Sequence, residues 1–168
     1  MQKKSVRDSK ITMAHVMMPM DANPAGNVHG GSVMKYIDNI AGAVAIRHTR
    51  SNSVTASIDR LDFHHPVYTG NLLILKASLN LVGRTSMEVG VRVESENPYS
   101  GKVNHTASAY LTMVALDENS NPKEVPGLIL ETNEEKRRNN AAKARRNTRL
   151  EERRKEKECR EDSSKCEL

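Results

Sequence analysis

Aromatic side chains are scarce in this chain: they make up 3% of its residues, with no tryptophan and a single phenylalanine. A surface that binds nucleic acid by stacking bases draws on more than that. No run approaches the roughly 18 apolar residues of a membrane-spanning helix. The first ten residues are polar and charged, with no apolar stretch to act as a signal peptide. There are two cysteines, Cys159 and Cys166, both in a charged tail outside any plausible core. Without a secretory signal they make no disulfide framework, and their spacing lacks the companion ligands of a zinc site. Also missing are a Gly-x-Ser-x-Gly elbow, a phosphate-loop lysine motif and a dinucleotide Gly-x-Gly-x-x-Gly. The expectation is a cytoplasmic protein with no metal and with neither membrane nor nucleic acid as a partner.

The 168 residues are enough for one domain with a substantial core. Charge is distributed unevenly. Residues 136–160 hold twelve Lys/Arg against four Glu, a balance of +8, whereas the whole chain carries +5, so the remainder carries −3. The pI near 9.3 is therefore a property of the tail. Glu151, Glu152, Glu156 and Glu158 interrupt its basic residues, which also argues against a nucleic-acid arm. From Glu131 onward the composition is Arg- and Glu-rich without Pro or Gly, and a helix is expected over part of it. Leu150 is the only large apolar residue between 134 and 160, so such a helix is either solvated or leans on something else. The division expected is a domain over 1–130 and a charged helical tail over 131–168, packed on a neighbouring subunit.

Within the domain, residues 11–18 read as a first strand that Pro19 ends. The apolar residues Val33, Met34, Ile37, Ala41, Val44 and Ala45 recur at helical spacing and predict a helix over 32–47. Ala41, Gly42, Ala43 and Ala45 make it a helix of small residues, suited to a central, nearly enclosed position. Four strand-like stretches follow, over 54–65, 72–82, 85–94 and 103–116. In the third, Met87, Val89, Val91 and Val93 share one face. Hairpin-like links and one early helix imply an α+β fold, an antiparallel sheet wrapped around that helix.

The chain is organised around residues 23–38. Pro24, Gly26, Asn27, Gly30 and Gly31 mark a turn with unusual backbone angles. Gly30 and Gly31 stand at the helix start, where free N–H groups and the positive dipole end favour an oxygen carrying negative charge. Asp38, four residues after Met34 and three before Ala41, shares a side with apolar residues. On a buried helix face such a carboxylate is hydrogen-bonded, protonated or functional. Of the histidines, His64 and His65 are adjacent on a strand and point to opposite faces, which makes them poor partners on one metal. His15, His48 and His105 are isolated and read as structural. His29 borders the turn, and Ser32 is placed to cap the helix.

The run 21–31, Asp-Ala-Asn-Pro-Ala-Gly-Asn-Val-His-Gly-Gly, followed by an apolar helix carrying Asp38, resembles the hot-dog-fold acyl-CoA thioesterases. The likeness is to the brain-type acyl-CoA hydrolases and their bacterial single-domain relatives. Gly83-Arg84-Thr85-Ser86 and the stretch from Asp59 through Asp62-Phe63 to Gly70-Asn71 are similar to stretches of that family, which more often has Asp where Asn71 stands. The resemblance implies hydrolysis of fatty acyl-CoA to free acid and coenzyme A, with no cofactor beyond the substrate's own coenzyme A. It implies an oxyanion site at Gly30 and Gly31, and Asp38 as general base or nucleophile. Asn23 orients the water or the carbonyl, and Arg84, Thr85 and Ser86 stand near coenzyme A. In two-domain members of that family the asparagine and the aspartate are divided between tandem domains, so one domain carrying both Asn23 and Asp38 suggests a symmetric dimer whose sites draw on two subunits, and the resemblance implies a trimer of such dimers. A non-catalytic acyl-CoA or fatty-acid sensor is the alternative from another functional class.

Overall fold

The computed structural model describes residues 2–59 and 61–161. Eight strands and two long helices follow in the order β1 (Lys4–Ser5), β2 (Ile11–Val16), α1 (Gly30–Thr49), β3 (Ser53–Ile58), β4 (Asp62–Phe63), β5 (Leu72–Val82), β6 (Ser86–Glu96), β7 (Val103–Ala115), β8 (Leu128–Ile129) and α2 (Asn133–Glu161). The main sheet is antiparallel, ordered β2-β5-β6-β7-β3, with β4 continuing the β3 edge along β7. It wraps around α1, the arrangement expected of the hot-dog fold. A small parallel pair, β1 with β8, lies apart from it.

Period-two alternation builds the core. Leu73, Leu75, Ala77 and Leu79 of β5 face α1 together with Met87, Val89, Val91 and Val93 of β6 and Ala107, Ala109, Leu111 and Met113 of β7. The helix answers with Val33, Ile37, Ile40, Ala41, Val44 and Ala45, at the i, i+3, i+4 spacing of one face. Ala41 and Ala45 let it lie close on the sheet. It is not enclosed, however. Met34 and Ile46 are 41% and 46% exposed, and a Cβ added to Gly42 would meet open space. The stripe Met34, Asp38, Gly42, Ile46 thus lies uncovered along one side of α1.

The strand expected over 54–65 is broken into β3 and β4. A bulge between Thr55 and Ser57 shifts its register on β7, and at Asp59 the side chain turns away to pair with Arg149 of α2. The first strand ends at Val16, two residues early, because Met17 donates to Asn71 instead of to a ladder.

The tail helix α2 leans on the outer face of its own sheet rather than standing free. Ala142 alone is fully buried; the rest of the contact is polar. Glu88, 1% exposed at its side chain, takes two hydrogen bonds from Arg145, at 2.6 and 3.2 Å, and one from Asn80 at 3.1 Å. Asn139 donates to the Asn80 carbonyl at 2.7 Å, and Arg149 pairs with both Asp59 and Glu88. Arg145 also stacks over Tyr110, 3.6 Å from the ring centroid. Thr132 and Glu135 form a reciprocal cap at its start. Cys159, near the end of α2, is disulfide-bonded where no bond was expected, and Cys166 lies outside the described residues.

Candidate active site

The loop before α1 is held by its own hydrogen bonds. Asn23 N–H donates to Asn27 O at 2.7 Å, His29 N–H to Asp21 O at 2.7 Å, and Gly26 takes a φ of +85° that only glycine adopts without strain. The Asn23 side chain is part of this lock. Its Oδ1 accepts from the N–H groups of Ala25, at 2.9 Å, and Asn27, at 3.3 Å. Two donors on one atom fix which end of the amide is oxygen. Nδ2 remains, and it is a donor only.

Asn23 and Gly30 border one cleft of about 360 Å³, walled by Val33, Phe63, His64 and His65. His64 and His65 follow β4 rather than sitting within a strand, so both line the same cleft instead of facing apart. The helix cap is His29, not Ser32: its Nδ1 accepts from Gly31 N–H at 3.3 Å, and Ser32 lies in the first turn. The Gly31 donor is thereby engaged, while the Gly30 N–H makes no hydrogen bond among the described residues. That N–H stands at the N-terminus of a 20-residue helix, beside the same cleft as the Asn23 amide.

Asp38 lies elsewhere. Eight residues along α1 from Gly30, it is about 12 Å away at 1.5 Å per residue. Contrary to the expectation of a buried apolar face, it is exposed in the single chain. It follows Ile37, so it sits about a quarter-turn off the core stripe, in the uncovered stripe of α1. Thr55 Oγ1 donates to Asp38 Oδ1 at 2.5 Å and fixes the carboxylate. The sequence alone did not single out Thr55, which looks like any β-branched strand residue.

The hairpin of residues 83–86 between β5 and β6 forms a third locus. Gly83 N–H donates to Ser86 O at 2.7 Å, and Arg84 O and Thr85 O accept from Val125 and Ala115, which ties the hairpin to the rest of the fold. The Arg84 side chain is exposed. Register places Ser86 opposite Val114, which pairs with Val54 beside Thr55. The hairpin is thus level with Asp38, two strands or about 10 Å across the sheet. Among the described residues no group of three or more His, Cys, Asp and Glu is placed to hold a metal ion, and no helix is long and apolar enough to cross a membrane.

Residues 25–102 match the model of the Thioesterase superfamily. An uncharacterised acyl-CoA thioester hydrolase of Bacillus subtilis is 39% identical over 143 residues, covering 85% of this chain and 83% of that protein. The chain belongs to the thioesterase superfamily. Solved structures similar to this thioesterase include an apo hexameric acyl-CoA thioesterase, 41% identical with a TM-score of 0.87 over 90% of this chain and 97% of the other. Another is the acyl-CoA hydrolase of Staphylococcus aureus with butyryl coenzyme A and coenzyme A, 35% identical with a TM-score of 0.87 over 96% and 99% of the two chains. That hydrolase has also been solved with an aspartate, a threonine or an asparagine replaced by alanine.

Proposed function

We propose that this thioesterase hydrolyses fatty acyl-CoA to free acid and coenzyme A in sites shared between two subunits. The carrying observation is the separation just described. Asn23 and Gly30 border a cleft, while Asp38, about a dozen ångströms along the helix, is held by Thr55 and exposed. Asn23, Asp38 and Thr55 stand 15 and 17 residues apart in sequence, and the three replaced residues of the Staphylococcus aureus hydrolase have the same separations.

The chemistry follows from these groups. The thioester carbonyl sits in the cleft with its oxygen toward Gly30 N–H and Asn23 Nδ2. As the tetrahedral intermediate forms, both donors and the helix dipole stabilise the oxyanion. Gly31 adds its N–H once its bond to His29 Nδ1 yields. Asp38 of the partner subunit supplies a carboxylate oxygen, either to take a proton from the attacking water or to attack the carbonyl itself and form an anhydride that water then hydrolyses to the free acid. Thr55 acts as a positioning residue by holding Oδ1. The thiolate of coenzyme A leaves, and the hairpin residues Arg84, Thr85 and Ser86 hold its nucleotide end.

A two-fold axis beside α1 supplies the partner. Met34, Gly42 and Ile46 leave room for a second helix, and β3, the sheet edge, offers unpaired backbone groups with Val54 and Ile58 exposed. The hexameric assembly of a similar thioesterase supports a trimer of such dimers. The test is steady-state hydrolysis over a series of acyl-CoA chain lengths by the wild type and by Asp38→Asn. The variant keeps the side-chain shape and should lose at least about a hundredfold in kcat. Near-normal turnover by the variant would sink the assignment of Asp38. Tight acyl-CoA binding without turnover by the wild type would favour a sensor.

A further inference from the structure

Beside the Gly83–Ser86 hairpin, on the outer face of the sheet, lies a small cleft of about 120 Å³, whose other wall is α2. Arg146, Arg149, Leu150 and Arg153 line it, at the i, i+3, i+4, i+7 spacing of one helix face. We infer that Arg146 and Arg153 complete, with the hairpin, the seat for a phosphate group of the coenzyme A half of the substrate. This inference rests on the acyl-CoA reading above and extends it to residues of the tail helix.

The charges around the cleft identify the two arginines. Two carboxylates approach it, Glu88 and Asp59, and both are satisfied: Arg145 and Arg149 hold Glu88, and Arg149 holds Asp59. Arg146 and Arg153 make no hydrogen bond or ion pair among the described residues, and both are exposed. Two uncompensated guanidinium groups therefore point along one wall of a cleft with room for a phosphoryl group and not for a whole nucleotide. Guanidinium forks suit such an oxygen cluster, and a partner phosphate would relieve their mutual repulsion.

Placement supports the same ligand. Arg146 Nη1 lies 3.3 Å from where a Cβ on Gly83 would stand, so the glycine lets the guanidinium close onto the hairpin turn. Two hairpin carbonyls, Arg84 O and Thr85 O, accept hydrogen bonds from elsewhere in the fold, and the hairpin adds the Arg84 side chain and the Ser86 hydroxyl as donors for a ligand. The Arg145 and Arg149 anchors fix the register of α2 on the sheet, which places Arg146 and Arg153 without requiring them to hold the helix down.

The experiment compares one acyl group as its coenzyme A ester and as its pantetheine ester, which lacks the nucleotide and its phosphates. Wild type and the variants Arg146→Gln, Arg153→Gln and the double replacement are run on both. The double variant should raise KM for the coenzyme A ester about tenfold, with kcat within about twofold, because such contacts hold ground and transition states alike. Its kinetics on the pantetheine ester should match those of the wild type. Added salt should narrow the gap between wild type and double variant on the coenzyme A ester, since exposed charges are screened over about 8 Å at physiological ionic strength. Gly83→Ala, which crowds Arg146, should show the same selective KM rise in weaker form. A double variant with unchanged KM for the coenzyme A ester would overturn the inference, as would an equal loss on both esters, which marks a structural role. A wild type that hydrolyses neither ester would instead overturn the acyl-CoA reading itself.

Discussion

In the proposed mechanism two side chains and one backbone N–H carry the chemistry, and each is fixed by a different kind of interaction. Asn23 is oriented by its own loop, Asp38 by a hydroxyl across the helix–sheet contact, and the Gly30 N–H by the first turn of α1. Thr55 is the residue whose role is easiest to isolate, because its hydroxyl and its methyl do separate work. Thr55→Val keeps the shape and removes the bond to Asp38 Oδ1. It should lower kcat about tenfold with little change in KM, less than the roughly hundredfold or more of a missing acid–base group, because the carboxylate remains. Thr55→Ser, which keeps the hydroxyl, should recover most of that loss. Equal damage by both replacements would show that Thr55 serves packing.

At the scale of elements, the fold rests on one apolar and one polar interface. The apolar one, between α1 and the sheet, was legible in the sequence because β5, β6 and β7 alternate over eleven to thirteen residues and are punctuated by Gly83 and by the turn at Asn97–Gly101. The polar one was not. Hydrophobic periodicity is silent about a helix whose contact is made of arginines, and nothing local marks Glu88 as buried, since it lies on the polar side of its strand's alternation. The same blindness explains Asp38: the pattern placed it near apolar residues, but whether that face looks inward or toward a second copy depends on the sheet's closure.

The polar interface makes a measurable prediction. Removing Arg145 leaves the Glu88 carboxylate in a site it cannot leave, and breaking such a buried pair costs about 3 kcal/mol. Arg145→Met should therefore lower the melting temperature by about 6–12 °C for a domain of this size. Combining it with Glu88→Gln should recover part of the loss, because no charge is then stranded. Calorimetry on the three proteins checks this, and an unchanged melting temperature in the single variant would contradict it.

At the other end of α1, His48 is fully buried. One ring nitrogen, Nε2, bonds Pro126 O at 2.9 Å, and Nδ1 has no partner among the described residues. Burial, the larger influence, holds its pKa below the ordinary histidine value, against the weaker opposing pull of the Pro126 carbonyl. The folded state thus favours neutral His48, and between the two pKa values the unfolded chain binds more protons. Its contribution is fully present above the unfolded value of about 6.5 and is lost as pH falls below it toward the folded value. The urea midpoint should decline over that window in the wild type, and less steeply in His48→Gln, which keeps a donor for Pro126. Parallel declines in the two proteins would remove His48 from the account.

For the whole molecule, the single chain is unfinished. It exposes a stripe of α1 with Met34 and Ile46, leaves the β3 edge unpaired among the described residues, and holds Asp38 apart from Asn23 and Gly30. In the proposed dimer a second copy about a two-fold axis resolves all three at once, and that shared site is the central claim. It is tested most directly by mixing two inactive variants, Asn23→Ala and Asp38→Asn, co-expressed in equal amounts. If each site takes Asn23 from one subunit and Asp38 from the other, half of the dimers are mixed and each of those has one intact site. About a quarter of wild-type activity should then return, although each variant alone is inactive. A mixture no more active than the separate variants would place Asn23 and Asp38 in the same subunit's site and contradict the account.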